Sequence, residues 1–376
     1  MAILFILVVT SLFFIRVKTN MKDFEVNYQA GKRLRMAETL YRTQDEHYMF
    51  KYFPSAALLY APLTQLPLDT AKGIWYLLII AGLTGMFTLS SRMLTEGNPL
   101  SFPMTVVTLM VLLKFILREI ELGQINALVG FILTLMIWNL ALSQKKNDSV
   151  GRNWLAGIFW GLGVALKPYA LLFFPYLLVK KNWRSLAGGA AFLLISFFAP
   201  AFYYGFEGNL EVHREWFETL SGSTPHLLTS QDNISIPALF TKWTGQKNLS
   251  LFLTSMVLLI MAILILILIH RGKSIRKSCI LEGAVLLMLI PLVSPLGWDY
   301  TLLLSVLGLM TIIRHFFCYS NPWRAVLIVN LLVIGLSVYD LLGRELYSNF
   351  MSWSVITVNF LILLGFLFFL RIRRIA

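Results

Sequence analysis

The sequence predicts an all-α, polytopic transmembrane helical protein of about ten to twelve spans. Three observations carry that reading. Of 376 residues, 57% are hydrophobic and only 14% charged, where an average soluble chain has roughly a quarter charged. The mean hydropathy is +0.72, and apolar blocks recur from one terminus to the other with no long hydrophilic stretch between them. This composition excludes a disordered chain and an ordinary water-soluble enzyme, and it reads as a single integral-membrane domain over 1–376. Cys279 and Cys318 are too few and too isolated for a disulfide framework or a metal cluster.

A hydrocarbon core of about 30 Å takes roughly 20 helical residues. On that measure the spans fall at 2–17, 73–91, 101–118, 124–143, 154–167, 169–179, 185–204, 250–270, 278–293, 300–314, 324–342 and 352–370. The first has no basic stretch before it and no small-residue cleavage site after it, so it is expected to remain as a span. Basic connections lie at 144–153, 180–184, 271–277 and 371–374. The positive-inside rule puts them, and with them both termini, in the cytoplasm of a multi-pass cell-membrane protein. The charge excess of the inner loops equals the whole net charge of +13, so no nucleic-acid partner is needed to explain it. Arg16 and Lys18 run against this orientation and are outvoted by the four later loops.

The stretch 154–179 has basic clusters on both flanks and Lys167-Pro168 at its centre. Two inner ends require an even number of crossings, so two short helices meet at Lys167. Each would be only about 20 Å long at 1.5 Å per residue, which places Lys167 in a recess open to the outside. The turn Ser294 to Tyr300 interrupts 278–314 in the same way. Two outer segments remain. The first, 18–72, carries an amphipathic piece at about 24–42 and an apolar run Ser55 to Leu63 that is too short to span, which predicts interfacial helices. The second, 205–249, mixes charges with aromatics and reads as a loop on the membrane surface.

Under this topology the costly polar residues gather on the outer side: Asp23 and Glu25, then Arg118, Glu119, Glu121, Gln124 and Asn126, then Lys167, Asp232, Asn233 and Ser235, and last Trp298, Asp299 and Tyr300. Ionisable groups at membrane depth cost several kcal/mol unless they line a cavity or find partners. Each has an ordinary structural reading too. Asp23 suits a helix N-cap, Gln124 and Asn126 suit interhelical hydrogen bonds, Lys167 suits snorkelling, and Asp232-Asn233 suits a turn. Taken together, a carboxylate, a lysine and amides in an outer chamber suit transfer of a sugar from a lipid phosphate to a hydroxyl. The carboxylate takes the hydroxyl proton and a cation steadies the departing phosphate.

The ordered motifs resemble glycosyltransferase family 87, polytopic enzymes of the GT-C class that use polyprenyl-phosphate-linked sugars. The residues that carry the resemblance are Asp23-Phe24-x-x-x-Tyr28, Tyr52-x-Pro54, Gly123-Gln124-Ile125-Asn126, Gly157-x-x-x-Gly161-x-x-x-Ala165-x-Lys167-Pro168, Asp232-Asn233-x-Ser235 and Ser294-Pro295-x-x-Trp298-Asp299. The resemblance implies a GT-C-like fold and transfer of a hexose, mannose first, from a polyprenyl-phosphate donor to a glycan or glycolipid acceptor at the outer face. It implies Asp23 as general base, with Lys167, Gln124, Asn126, Trp298, Asp299 and Tyr300 serving the donor phosphate or sugar. Glu25, Tyr28, Tyr52, Glu119, Asp232, Asn233 and Ser235 become acceptor or loop contacts, with Glu25 and Glu119 as rival bases. Two departures stand out: Phe53 where many members have proline, and Tyr300 where a histidine would follow Trp298-Asp299. No cofactor is called for, and no metal-ligand cluster is visible, although Asp23 and a second carboxylate leave a metal open. A lipid or solute transporter is the alternative, weakened by the lack of internal repeats. The oligomeric state is not legible.

Overall fold

The computed structural model describes residues 11–95, 102–144, 149–272 and 278–375. The first expected span, 2–17, and the basic loops at 144–153 and 271–277 therefore fall partly outside the described residues. Helix α1 (Lys22–Arg35) opens at Met21, in the left-handed region with φ 44°. The Met21 N–H is held by the Glu121 carbonyl at 2.7 Å. Asp23 and Glu25 occupy its first turn and Lys32, Arg33 and Arg35 its last, the charge order that opposes the helix dipole. Its buried face, Phe24, Asn27, Ala30, Gly31 and Leu34, repeats at the three-to-four spacing of an amphipathic helix. Single helical turns at Pro54–Ala56, Ala57–Tyr60 and Ala61–Gln65 follow. The amphipathic and short apolar pieces expected in 18–72 are thus both helical.

Helices α2 (Leu68–Leu94), α3 (Phe102–Leu122), α4 (Asn126–Ser143) and α5 (Ser149–Leu166) come next. After a break at Lys167 come a 3-10 turn (Pro168–Leu172) and α6 (Phe173–Val179). Lys167 is extended, φ −144° and ψ 116°, the conformation that a following proline imposes. The hairpin expected at that lysine is therefore present, but its first arm is longer than the short helix expected over 154–167: α5 starts at Ser149 and runs 18 residues, about 27 Å at 1.5 Å per residue. Then come α7 (Trp183–Phe198), α8 (Ala201–Leu227), α9 (Ile236–Thr244), α10 (Lys247–Arg271), α11 (Cys279–Val293), a 3-10 turn (Asp299–Ser305), α12 (Val306–Arg314), α13 (Asn321–Leu336), α14 (Tyr339–Ser352) and α15 (Val355–Ile372). The chain is all-helical apart from one isolated bridge, Asn233 to Trp298, among the described residues.

Helix α5 packs against α4 on one side and α7 on the other. A Cβ on Gly157 would lie 2.2 Å from the Ser185 carbonyl oxygen, so the Gly-x-x-x-Gly stripe lets the α5 and α7 backbones touch. Helix α11 is buried from Cys279 to Leu292, which makes it the centre of the bundle.

Among the described residues four helices (α2, α4, α10 and α15) are long and apolar enough to cross a membrane by themselves, or six if each of two bent pairs counts as one; elements such as α11 and α12 are shorter. Three expectations need correction. The expected span 185–204 ends at Phe198, and α8 departs at 94° from α7, with Gly205 at φ 69°. The expected surface loop 205–249 is mostly helix. Its Arg214 pairs with Glu211 and Glu218 at three- and four-residue spacing, a helical pattern. Likewise 324–342 is broken, α14 turning 100° from α13.

Candidate active site

The site is assembled where α3 passes into α4. Gly123 sits at φ 70°, and a Cβ there would lie 2.7 Å from the Phe24 Cβ, so only glycine fits. Its carbonyl accepts from the Trp75 indole at 2.8 Å. This locked turn aims the next residue, Gln124, at α1. The Gln124 amide donates to the Asp23 carboxylate (2.5 Å) and accepts from the Tyr52 hydroxyl (3.0 Å) and the Lys167 ammonium (3.2 Å). Three distant segments thereby meet on one side chain.

Behind Gln124 lies a second tier. Lys167 also donates to the Asn126 amide oxygen at 2.8 Å, as the Tyr169 hydroxyl does at 3.1 Å. The Asn126 nitrogen donates to Glu119 at 2.7 Å, and the Ala127 N–H donates to the other Glu119 oxygen at 2.9 Å. Glu119 is 0% exposed, so every partner it has is on this tier. The Lys167 ammonium stands 5.2 and 5.7 Å from the Tyr52 and Tyr169 ring centres, a favourable setting for a desolvated cation.

In front of Asp23 is a cavity of about 410 Å³. Its wall includes Asp23, Tyr52, Gln124, Lys167, Arg118, Asp232, Trp298 and Tyr300. Opposite Asp23, Arg118 pairs with Asp232 at 2.6 Å and with Asp299 at 3.5 Å. That wall is braced by the Asn233 side chain, which donates to the Pro295 carbonyl at 2.9 Å and accepts from the Ser235 and Gly297 N–H groups. Ser235 caps α9 by accepting from the Ala238 N–H.

The sequence-selected residues therefore divide. Asp23, Tyr52, Gln124, Lys167, Asp232, Trp298 and Tyr300 line the cavity. Asn126 and Glu119 support it from behind, and Asp299 backs Arg118. Asn233 and Ser235 hold the loops in place. Two are elsewhere. Tyr28 donates to the Leu66 carbonyl at 2.8 Å. Glu25 lines a neighbouring cleft and pairs with Lys72 at 2.7 Å and Lys22 at 3.1 Å. Burial raises the Glu25 pKa, but these two lysines win and hold it below the usual carboxylate range.

Sequence reasoning missed Lys51, which lines the same cavity. It forms no ion pair among the described residues, and burial pulls its ammonium below the ordinary value of 10.5. Its only signal was its place directly before the Tyr52 motif. Burial, followed by the Asp23 and Glu119 charges, pushes the Tyr52 phenol well up, so it stays protonated as a donor to Gln124. No group of three or more His, Cys, Asp or Glu side chains gathers among the described residues.

The sequence model of glycosyltransferase family 87 matches residues 50–295, well over half the chain. The Trp298-Asp299 pair lies just beyond the match and Asp23 well before it. A polyprenol-phosphate-mannose-dependent alpha-(1-2)-phosphatidylinositol pentamannoside mannosyltransferase from Mycolicibacterium smegmatis is 27% identical over 150 residues, 40% of this chain and 34% of that protein. An alpha-(1->3)-arabinofuranosyltransferase from Corynebacterium glutamicum is 29% identical over 175 residues, 44% of this chain and 39% of that protein. The alignments thus span little more than a third of either relative. The crystal structure of ArnT from Cupriavidus metallidurans bound to undecaprenyl phosphate aligns with 99% of this chain and 78% of its own at 13% identity, with a TM-score of 0.42. A likeness that low assigns nothing to this chain.

Proposed function

This chain belongs to glycosyltransferase family 87, and we propose that it transfers a hexose, mannose first, from a polyprenyl-phosphate donor to a hydroxyl of a glycan or glycolipid. Asp23 is the general base. Its carboxylate takes the acceptor proton as the acceptor oxygen attacks the anomeric carbon. A glycosidic bond forms, the bond from that carbon to the phosphate oxygen breaks, and polyprenyl phosphate leaves with the electron pair.

The observation that carries this reading is one cavity bearing a carboxylate oriented by a single amide, Asp23 on Gln124 at 2.5 Å, together with an ammonium, Lys51, that no carboxylate claims among the described residues. Lys51 takes the donor phosphate, because Lys167 is committed to Gln124 and Asn126 and Arg118 to Asp232. Lys167 in turn positions Gln124. Glu25 is a poor rival base because its oxygens face two lysines, and Glu119 a poor one because it is sealed off. Trp298 and Tyr300 offer the aromatic and hydroxyl surface a sugar needs.

The cavity is at one end of α4 and the basic residues Lys180 and Arg371 are at the other. With the basic end and both termini cytoplasmic, the cavity opens on the extracytoplasmic side. The test is purified protein incubated with polyprenyl-phosphate mannose, galactose and arabinofuranose and a panel of glycolipid acceptors. Product from the hexose donors supports the reading. Movement of labelled lipid across proteoliposomes, with no product from any donor, overturns it in favour of a transporter.

A further inference from the structure

The end of the bundle away from Asp23 holds a second cavity, of about 510 Å³. It lies between Ser143 and Gln144 in and just after the last turn of α4, Asn153 of α5, and the turn that joins α6 to α7. Helix α4 sets its depth. Eighteen residues run from Asn126, behind the first cavity, to Ser143 beside this one, about 27 Å at 1.5 Å per residue. The hydrocarbon core is about 30 Å thick. The second cavity therefore stands at headgroup depth on the opposite face of the membrane from Asp23.

Its charge is one-sided. Lys180, Lys181 and Arg184 line it, and no carboxylate does among the described residues. Lys180 is committed to Glu282 at 2.8 Å. Lys181 and Arg184 are exposed and form no ion pair among the described residues. The turn that carries them is fixed. Lys181 adopts φ 55°, and its N–H donates to the Leu178 carbonyl at 2.9 Å. The Asn182 side chain donates to Asn153 at 2.9 Å and accepts from the Ser185 N–H at 3.2 Å. Two positive charges with no ion-pair partner among the described residues are thus presented by a rigid corner and not by a loose loop. Beside them Trp183 is 61% exposed, and Phe174, Leu178 and Val179 run outward along α6. A ligand that suits this site combines an anion with an apolar tail.

We propose that this cavity binds the phosphate headgroup of an anionic phospholipid, with the acyl chains lying on the exposed side of α6. Basic pockets between membrane helices on the cytoplasmic side have the right chemistry for such headgroups, and an exposed tryptophan at that depth anchors the interface. The site does not depend on the proposed sugar transfer.

The test uses delipidated full-length protein in neutral detergent, titrated separately with phosphatidylglycerol, phosphatidylcholine and inorganic phosphate, and read by native mass spectrometry and by thermal midpoint. Phosphatidylglycerol is expected to bind roughly thirty-fold more tightly than phosphatidylcholine, a preference on the scale of two surface cations. The K181Q/R184Q double variant is expected to lose that preference. R373Q/R374Q, which removes two exposed charges from the same end outside the cavity, is expected to keep it. Four outcomes overturn the proposal: equal affinity for the two lipids, a preference that survives K181Q/R184Q, the same loss in R373Q/R374Q, or inorganic phosphate alone reproducing the whole shift.

Discussion

Two buried glutamates mark the two ends of the bundle, and their surroundings differ in kind. Glu282, 1% exposed, receives the Lys180 ammonium, the Tyr176 hydroxyl at 2.9 Å and, at 3.8 Å, the Arg371 guanidinium. Its charge is cancelled on the spot, tying α6, α11 and α15 together. Glu119 is equally buried but touches only amides, and Asn126 stands between it and Lys167. There the polarity passes outward through Lys167 and Gln124 to Asp23 and an open cavity. A neutralised carboxylate holds helices together, whereas one linked through amides orders a chain of side chains that ends at Asp23, the proposed base.

That contrast can be broken at either end. The largest effect is expected from Asp23→Asn, which should lower the rate of sugar transfer by about 10²–10⁴-fold without moving the thermal midpoint. A midpoint that falls along with the rate would make Asp23 structural. Glu282→Gln should do the reverse. Leaving Lys180 and Arg371 without their carboxylate should cost about 3–5 kcal/mol of stability, seen as a lower midpoint, with kcat of the surviving folded protein unchanged. Next comes Lys51→Gln, with about a ten-fold rise in donor KM from one lost charge-assisted phosphate contact and little change in acceptor KM. The same residue sets a pH limb. Since burial holds Lys51 below 10.5, donor binding should weaken with rising pH before that value is reached, and Lys51→Arg should push the limb to higher pH.

The smallest effect belongs to Glu25. Its folded pKa is held below the ordinary 4.5 by Lys72 and Lys22, against the opposing push of burial. The pair's contribution is therefore complete above pH 4.5 and is lost as the pH falls through the folded value. Acid unfolding curves of the wild type should show a small downward step that Glu25→Gln lacks.

Much of this could be read from the residues. Lys167-Pro168 announced its own break, because a proline excludes the residue before it from the helix. Gly123-Gln124-x-Asn126 could be recognised as a unit, although only the structure explains it: a glycine for the left-handed turn, a glutamine for Asp23, an asparagine for Lys167 and Glu119. What the pattern hid was direction. Helix α8 was hidden because it is amphipathic and interrupted by Gly205, so its charges looked like a loop. The bends after Phe198 and Leu336 lie inside apolar runs that hydropathy treats as continuous. Lys51 was invisible because one lysine in an outer segment has no period; only the fold shows that it faces a cavity and that Glu25, two residues from Asp23, turns away from it.

The most direct measurement is a structure of the protein with a non-transferable polyprenyl-phosphate sugar. The account places the phosphate at Lys51 and the sugar between Trp298 and Gln124, with the anomeric carbon turned toward the space in front of the Asp23 carboxylate. A donor seated elsewhere, with Asp23 still closed against Gln124 and out of reach of any acceptor hydroxyl, would contradict it.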